Sequence, residues 1–399
     1  MLIQALTQNM QRHLTTGIDV GTYQVKVVIS EHIRNKDRHF PKIIGTGCAE
    51  SRGLRHGYII NSSDVLKSIS KSVMQAEKEA GTRIKRAFIS IGGVGVDEVR
   101  AKADIVISRP EGDVTELDIE NVLNKCEESV LQKIANKKII HVVPLKYKVD
   151  GVPVLGNRPV GLTGNKLEVE TLFITCFEQH LNDLIKTVEE VGIEVRDVMV
   201  SPLAGSLVTL SRAQKIAGCV LANIGAETVS IVVFENNFPI SIKVFPVGST
   251  DITNDIALSL RISPEEAERI KLGTITNADY SERQLDTIIM NRLRDIFNLI
   301  EAHLKKINKS GLLPAGIILT GGGSGVTTIE DLARASLRLP SKIGAVRTAD
   351  PRSIVRDSSW AVAYGLCIWG STLRDERFGI RMARKGAGSI ISWFRQFLP

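Results

Sequence analysis

GIDVGTYQVKVVI at Gly17–Ile29 and LANIGAETVSIVV at Leu221–Val233 are the two stretches on which the fold turns. Laid over one another at a constant offset of 204 residues, they put Asp19 over Asn223, Gly21 over Gly225, Val25 over Val229 and Val28 over Val232. Each reads as two β-rich runs joined at a glycine turn, with a polar residue just before the turn. Two such hairpins half a chain apart suggest two homologous lobes, although hairpins can align this well by chance. A third glycine cluster favours duplication. GIILTGGGSGVTTIED at Gly316–Asp331 reads as a buried apolar strand, a Gly-rich turn and the start of a helix.

Outward from these stretches, Asn61 to Ala80 reads as a helix, with Asn61 or Ser62 as its N-cap and Gly81 as its stop. Ala87 to Ile91 is a strand ending in Gly92-Gly93, and Val99 to Ser108 is another. A helix from Thr115 to about Lys133, a strand at Lys138–Val149 and a Gly/Pro-rich loop at Arg158–Gly164 follow. Beyond them lie a strand at Glu168–Cys176 and a helix at Gln179–Val191. Residues 84–162 therefore form a compact β-α-β block, a candidate separate subdomain.

The chain has 399 residues, 43% of them hydrophobic, enough for two or three domains with ordinary cores. Such a composition excludes disorder and collagen-like repeats. Cys48, Cys126, Cys176, Cys219 and Cys367 lie far apart, with no C-x-x-C and no Cys/His cluster, so they support neither a disulfide scaffold, a zinc site nor a redox pair. Met1 to His13 lacks the pattern of a signal peptide, and no apolar run approaches the length of a spanning helix. A reducing cytoplasm is the expected compartment.

Glycine lets backbone N–H groups approach an anion without a Cβ in the way, and N–H groups clustered at a turn make a concave anion site. Two such turns facing one another can hold the β- and γ-phosphates of a nucleotide, with the Thr22 and Thr228 hydroxyls as further donors. Asp19 is placed to hold a divalent cation through water, as Mg2+ prefers. The Walker pattern is absent, and Gly321-Gly322-Gly323 does not fit the dinucleotide fingerprint.

The order GIDVGT, NIGAET, GIILTGGGSG resembles the phosphate 1, phosphate 2 and adenosine motifs of the actin, Hsp70 and sugar-kinase superfamily. Within it, HVVPLKYKVDG, RPVGLTGNKLEVETLFITC and VGSTDITNDIALSLRISPEEAERIK resemble the FtsA family of bacterial cell-division proteins, and the likeness runs over about residues 14–399. The resemblance implies an α/β actin-like ATPase fold, two lobes around a nucleotide cleft with an FtsA-type inserted subdomain. It divides the chain into subdomain 1A (1–83, 163–212 and 359–376), inserted 1C (84–162), 2A (213–252 and 312–358) and a shortened 2B (253–311). A basic linker at 377–388 and an amphipathic helix at 389–399 complete it.

Carried over by position, the resemblance puts Asp19, Gly21, Thr22 and Tyr23 on the first phosphate loop, and Asn223, Gly225, Thr228 and Gly248 on the second. Glu268 and Lys271, on one face of a helix opened by Ser263-Pro264-Glu265, fall on the adenosine with Gly321, Gly322 and Gly323. A surface ion pair is the other reading of Glu268 and Lys271. The implied cofactors are ATP and Mg2+, the latter held by Asp19 through water. Two departures stand out. Asn223 replaces the usual Asp, and Ala226-Glu227 replaces Gly-Gly, which predicts weak or absent hydrolysis more than lost binding, because Asn cannot act as a base. Only KLGTITNADYSERQL stands between Lys271 and the next helix, Asp286–Ile307, where relatives have a longer stretch.

From Ile390 to Leu398, apolar residues recur with the spacing of one helix face: Ile390, Ile391, Phe394, Phe397 and Leu398, with Trp393 on the flank. Arg377, Arg381, Arg384 and Lys385 precede a Gly-Ala-Gly hinge. Such a segment suits the headgroup region of an anionic membrane, and a terminal helix docked on the core is the alternative. Residues 374–399 carry six basic and two acidic side chains, +4 of the chain's net +7, so the charge is a tail rather than a nucleic-acid footprint. The family likeness implies an adaptor that tethers FtsZ filaments to the cytoplasmic face of the membrane at the septum and self-associates into filaments. Arg292 would meet the FtsZ C-terminal tail, and the 84–162 block other division proteins. An actin-fold small-molecule kinase and a pilus-assembly relative are the rivals; a kinase needs a general base that no acidic residue here is singled out to supply.

Overall fold

The computed structural model describes residues 13–32, 41–109, 112–274, 280–326, 328–348 and 353–377. The first described elements form the expected hairpin: β1 (His13–Val20) pairs antiparallel with β2 (Gln24–His32), and β3 (Lys42–Glu50) adds to β2. A small ribbon, β4 (Leu54–Arg55) with β5 (Tyr58–Ile59), leads into α1 (Ser62–Ala80). The Asn61 side chain accepts from the Asp64 N–H, and Gly81 ends the helix at φ +63°, where a Cβ would be strained. β6 (Arg86–Ile91) then lies parallel to β1.

Next come β7 (Asp97–Val106), α2 (Glu116–Leu131), β8 (Lys137–Val149), β9 (Val152–Pro153) and β10 (Lys166–Phe177), which build their own sheet in the order β7-β10-β8-β9 with a separate core under α2. The first lobe resumes with α3 (Glu178–Glu189), β11 (Glu194–Val200) parallel to β6, and α4 (Ser201–Thr209). The inserted unit therefore runs from β7 to β10, not over 84–162. Arg86–Ile91 is buried along almost its whole length because it is a central parallel strand of the lobe. Lys166–Phe177 lies beyond the Gly/Pro loop yet pairs with both β7 and β8.

After α5 (Arg212–Ala217), the second lobe repeats the first: β12 (Cys219–Ile224), β13 (Val229–Glu235), β14 (Phe238–Phe245), α6 (Ser249–Leu260), α7 (Pro264–Lys271), α8 (Glu282–Lys306), β15 (Ile317–Thr320), α9 (Ile329–Leu337) and β16 (Ser341–Ile343). α10 (Ala361–Arg377) returns to the first lobe and packs on β1 and β2 through a core that includes Val28, Tyr364 and Cys367. The sheets read β3-β2-β1-β6-β11 and β14-β13-β12-β15-β16, the same order in each lobe. Even the irregularity repeats. The β2–β3 register shifts at Ile29/Ser30 and the β13–β14 register at Val233/Phe234, the same offset of 204.

Both sheets are covered on two faces. In β12, Val220, Ala222 and Ile224 face one core while Leu221 faces the other, the period of two expected of a strand. Between α6 and β15 the described residues are helix and loop, with no strand.

Candidate functional site

The two hairpin turns have the same geometry. The Gly21 N–H donates to the Gln24 carbonyl at 3.2 Å, and the Gly225 N–H to the Thr228 carbonyl at 2.8 Å. A Cβ at either glycine would stand 2.9 Å from that carbonyl oxygen, so both turns need glycine at this point. Behind the second turn, the Ser249 and Thr250 N–H groups take the Gly225 and Ala226 carbonyls, and the Gly248 backbone presses close to Ala226. With these carbonyls held from behind, no protein group among the described residues takes the N–H groups of Ala226 and Glu227, nor those of Thr22 and Tyr23 in the first turn. Adjacent unpaired N–H groups at a turn are an anion cradle.

Each turn has a companion at the end of the neighbouring parallel strand. Beside β1, β6 ends in Ser90-Ile91-Gly92-Gly93; beside β12, β15 ends in Thr320-Gly321-Gly322-Gly323. Gly93 and Gly321 sit at φ +89° and +88°. Gly321 lies against the Asn223 amide and Gly323 against Ile224, whereas Gly322 faces open space. The four glycine segments thus gather at the carboxyl ends of the central strands, where open α/β sheets bind ligands. Residues ahead of α10 join the halves: the Ser358 hydroxyl is 3.2 Å from that of Ser324, and the Ser359 carbonyl accepts from Lys26 Nζ at 3.0 Å.

Asp19 is half-buried at the end of β1, and its Oδ1 accepts from the Ser90 hydroxyl at 2.7 Å. Burial pushes its carboxyl above the usual range, against the pull of Ser90 and Lys26. Lys26 is the cross-strand partner of Asp19, 5.6 Å above the Trp360 ring; burial lowers its ammonium, against the pull of Asp19. Neither Ser90 nor Lys26 was singled out by sequence. Ser90 carried a signal, since a strand ending in a pair of glycines is the pattern recognised at Thr320.

Glu268 and Lys271 form an ion pair at 2.6 Å, and Lys271 also donates to the Ser249 carbonyl and Thr253 Oγ1, which ties α7 to the start of α6 behind the second turn. Arg292 grips Asp255 of α6 with two bonds, Nε at 2.6 Å and Nη2 at 2.8 Å, and this partner raises its guanidinium further. It stands on α8 and faces α6. Ile390, Ile391, Trp393, Phe394, Phe397 and Leu398 lie outside the described residues. Among the described residues no helix is long and apolar enough to cross a membrane.

The family model "Cell division protein FtsA" matches residues 220–365, and that for the SHS2 domain inserted in FtsA matches 98–175, close to the observed insert. The cell division protein FtsA of Borreliella burgdorferi is 30% identical over 357 residues, 84% of this chain and 85% of that protein. This chain belongs to the FtsA family. The FtsA of Bacillus subtilis is 28% identical over 402 residues, 94% of this chain and 88% of its own. Solved structures show the fold alone. A PilM–PilN type IV pilus biogenesis complex has a TM-score of 0.67 at 17% identity, covering 90% of this chain and 99% of its own. MreB5 of Spiroplasma citri bound to ADP has a TM-score of 0.52 at 14% identity, covering 92% and 99%. The fold is thus the expected actin-like one, and the two hairpins are equivalent parts of two lobes.

Proposed function

We propose that this FtsA-family protein binds Mg–ATP between its lobes and acts as the membrane-tethered adaptor of the division ring, linking FtsZ filaments to the cytoplasmic face of the membrane. The observation that carries the nucleotide part is the pair of turns whose N–H groups lack partners among the described residues, beside a half-buried carboxyl at Asp19. These groups fit a phosphate chain and its cation: N–H donors for anionic oxygens, and one carboxylate for a metal that keeps most of its waters. Glycines 321–323 and the Glu268–Lys271 pair would border the adenosine. Asn223, neutral where the first lobe has Asp19, favours binding over rapid hydrolysis.

Membrane attachment rests on the apolar face of Ile390–Leu398 and the basic residues before it. Arg292 is the proposed contact for the FtsZ tail, self-association builds the filament, and the inserted unit is a surface for other division proteins. One experiment tests the core of this reading: co-sedimentation with anionic liposomes, with and without ATP and FtsZ. Removal of residues 387–399 is expected to release the protein from the lipid and leave ATP binding intact; unchanged sedimentation would remove the anchor from the proposal.

A further inference from the structure

Glu227 occupies the tip of the second turn, and its side chain crosses to the other lobe. Its carboxylate Oε2 accepts from the His56 N–H at 2.5 Å, and its own carbonyl lies 3.2 Å from His56 Nδ1. Residue 56 is the turn of the β4–β5 ribbon, held in the left-handed region at φ +48°. The ribbon is firmly seated on the first lobe. Gly57 lies so close to Gly93 that a Cβ would be 2.4 Å from the Gly93 Cα, and the His56 carbonyl accepts from the Val94 N–H at 3.3 Å. On the far side, the turn carrying Glu227 is pinned to the N-terminus of α6 by the Ser249 and Thr250 N–H groups. Two rigidly backed turns therefore meet, through a charge-assisted bond and a ring contact, across the gap between the glycine segments.

Such a bond is made once and broken whole. Relative rotation of the lobes would pull His56 away from Glu227, leaving a carboxylate and an N–H to find water. We propose that Glu227 and His56 form a clasp between the lobes whose opening governs how fast a nucleotide enters and leaves the cleft. This rests on the nucleotide reading above. Because the clasp joins protein to protein, loosening it speeds entry and exit together. Its loss is thereby distinguished from loss of a ligand contact, which changes exit alone.

The test uses the full-length chain. Stopped-flow fluorescence with a methylanthraniloyl-labelled ATP is compared between wild type, Glu227→Ala, Glu227→Gln and His56→Ala, with circular dichroism melts confirming that each variant is folded. Glu227→Ala is expected to raise both the association and dissociation rates about tenfold while their ratio moves less than about threefold, tenfold being the factor that ~1.4 kcal/mol removes from a barrier. Glu227→Gln keeps an acceptor and recovers part of the wild-type rates, and His56→Ala, which retains the backbone N–H, changes them least. Rates unchanged in Glu227→Ala, or a change in dissociation alone, overturn the clasp. Hydrogen exchange at the His56 amide reports on it without nucleotide: protection in wild type that is lost in Glu227→Ala supports it, and equal exchange in both overturns it. Absence of labelled-ATP binding with the amide still protected would instead overturn the nucleotide reading and leave the contact between lobes standing.

Discussion

In the first lobe the residue before the glycine turn is a half-buried carboxyl with a hydroxyl on one side and an ammonium opposite; 204 residues later the same position is an amide set against the Gly321 backbone. Lys26 is replaced by the buried Ser230, and Ser90 by Thr320, whose hydroxyl turns to the Ala222 carbonyl at 3.3 Å. The acid of the second lobe has moved four residues on, to Glu227 in the turn, where its carboxylate is engaged with His56. Equal backbones thus carry unequal chemistry. Steric needs at Gly21 and Gly225 hold the turn in both lobes, while the groups able to meet a cation are concentrated in one.

The largest effect separating the lobes belongs to packing. Gly17 and Leu221 are equivalent positions, yet a Cβ on Gly17 would lie 2.1 Å from the Ala363 carbonyl of α10, whereas Leu221 is fully buried in the shared core. Leu221→Ala is expected to lower the unfolding free energy by about 2–5 kcal/mol through the cavity left behind. Gly17→Ala should lower it by about 1–3 kcal/mol through forced displacement of α10. Urea unfolding measures both. A neutral Gly17→Ala would show that α10 can draw back from the sheet, and that the first lobe is the looser of the two.

The inserted unit meets each lobe beside a buried imidazole, and protons should find the joints unequal. His141 on β8 accepts from the Val200 N–H of the first lobe, and burial pushes its pKa down to about 3. His303 on α8 is 2.8 Å from Ser241, whose hydroxyl also donates to Glu98 of the insert; burial and neighbouring lysines push that imidazole down to about 4. A lowered imidazole pKa means the unfolded chain binds more protons, so stability present above about pH 6.5 is lost as pH falls toward the folded value. From pH 7 to pH 5, His141 alone should remove about 2 kcal/mol. At the second joint the Glu98 carboxyl, raised by burial, works against His303. His141→Gln keeps an acceptor for Val200, and in urea unfolding its pH-dependent loss should shrink by about that amount. Equal slopes in variant and wild type would show that His141 is not held neutral.

Much of this was legible because local signals and tertiary demands agreed. Asn61 and Gly81 bounded α1, and the hairpins at Gly21 and Gly225 were visible as alternation broken by glycine. The bounds of the insert were not legible because Arg86–Ile91 and Lys166–Phe177 both read simply as strands, and which sheet a strand joins is set by contacts far away in sequence. Ser90 and Lys26 escaped notice for the same reason: a serine in a strand and a lysine opposite an aspartate acquire their significance only when β6 lies beside β1 and the residues ahead of α10 reach Lys26. His56 gave no signal at all, since its partner is 171 residues away.

The smallest of these effects separates the lobes most directly. If the first lobe supplies the charge for Mg2+, Asp19→Asn should weaken Mg-dependent nucleotide affinity about tenfold, or ~1.4 kcal/mol, with little change when the cation is chelated. Ser90 can still donate to the amide oxygen, so the fold around β1 and β6 is retained. Asn223→Asp puts a carboxylate back beside Gly321 and Thr320, and should leave affinity within about threefold, or ~0.7 kcal/mol, while raising the single-turnover hydrolysis rate, because the second lobe regains a group able to orient and deprotonate water. Fluorescent-nucleotide titrations with Mg2+ and with chelator, followed by single-turnover assays, distinguish the two. Loss of affinity from both substitutions would mean that the lobes share the cation; loss from neither would place it on groups outside this pair of turns.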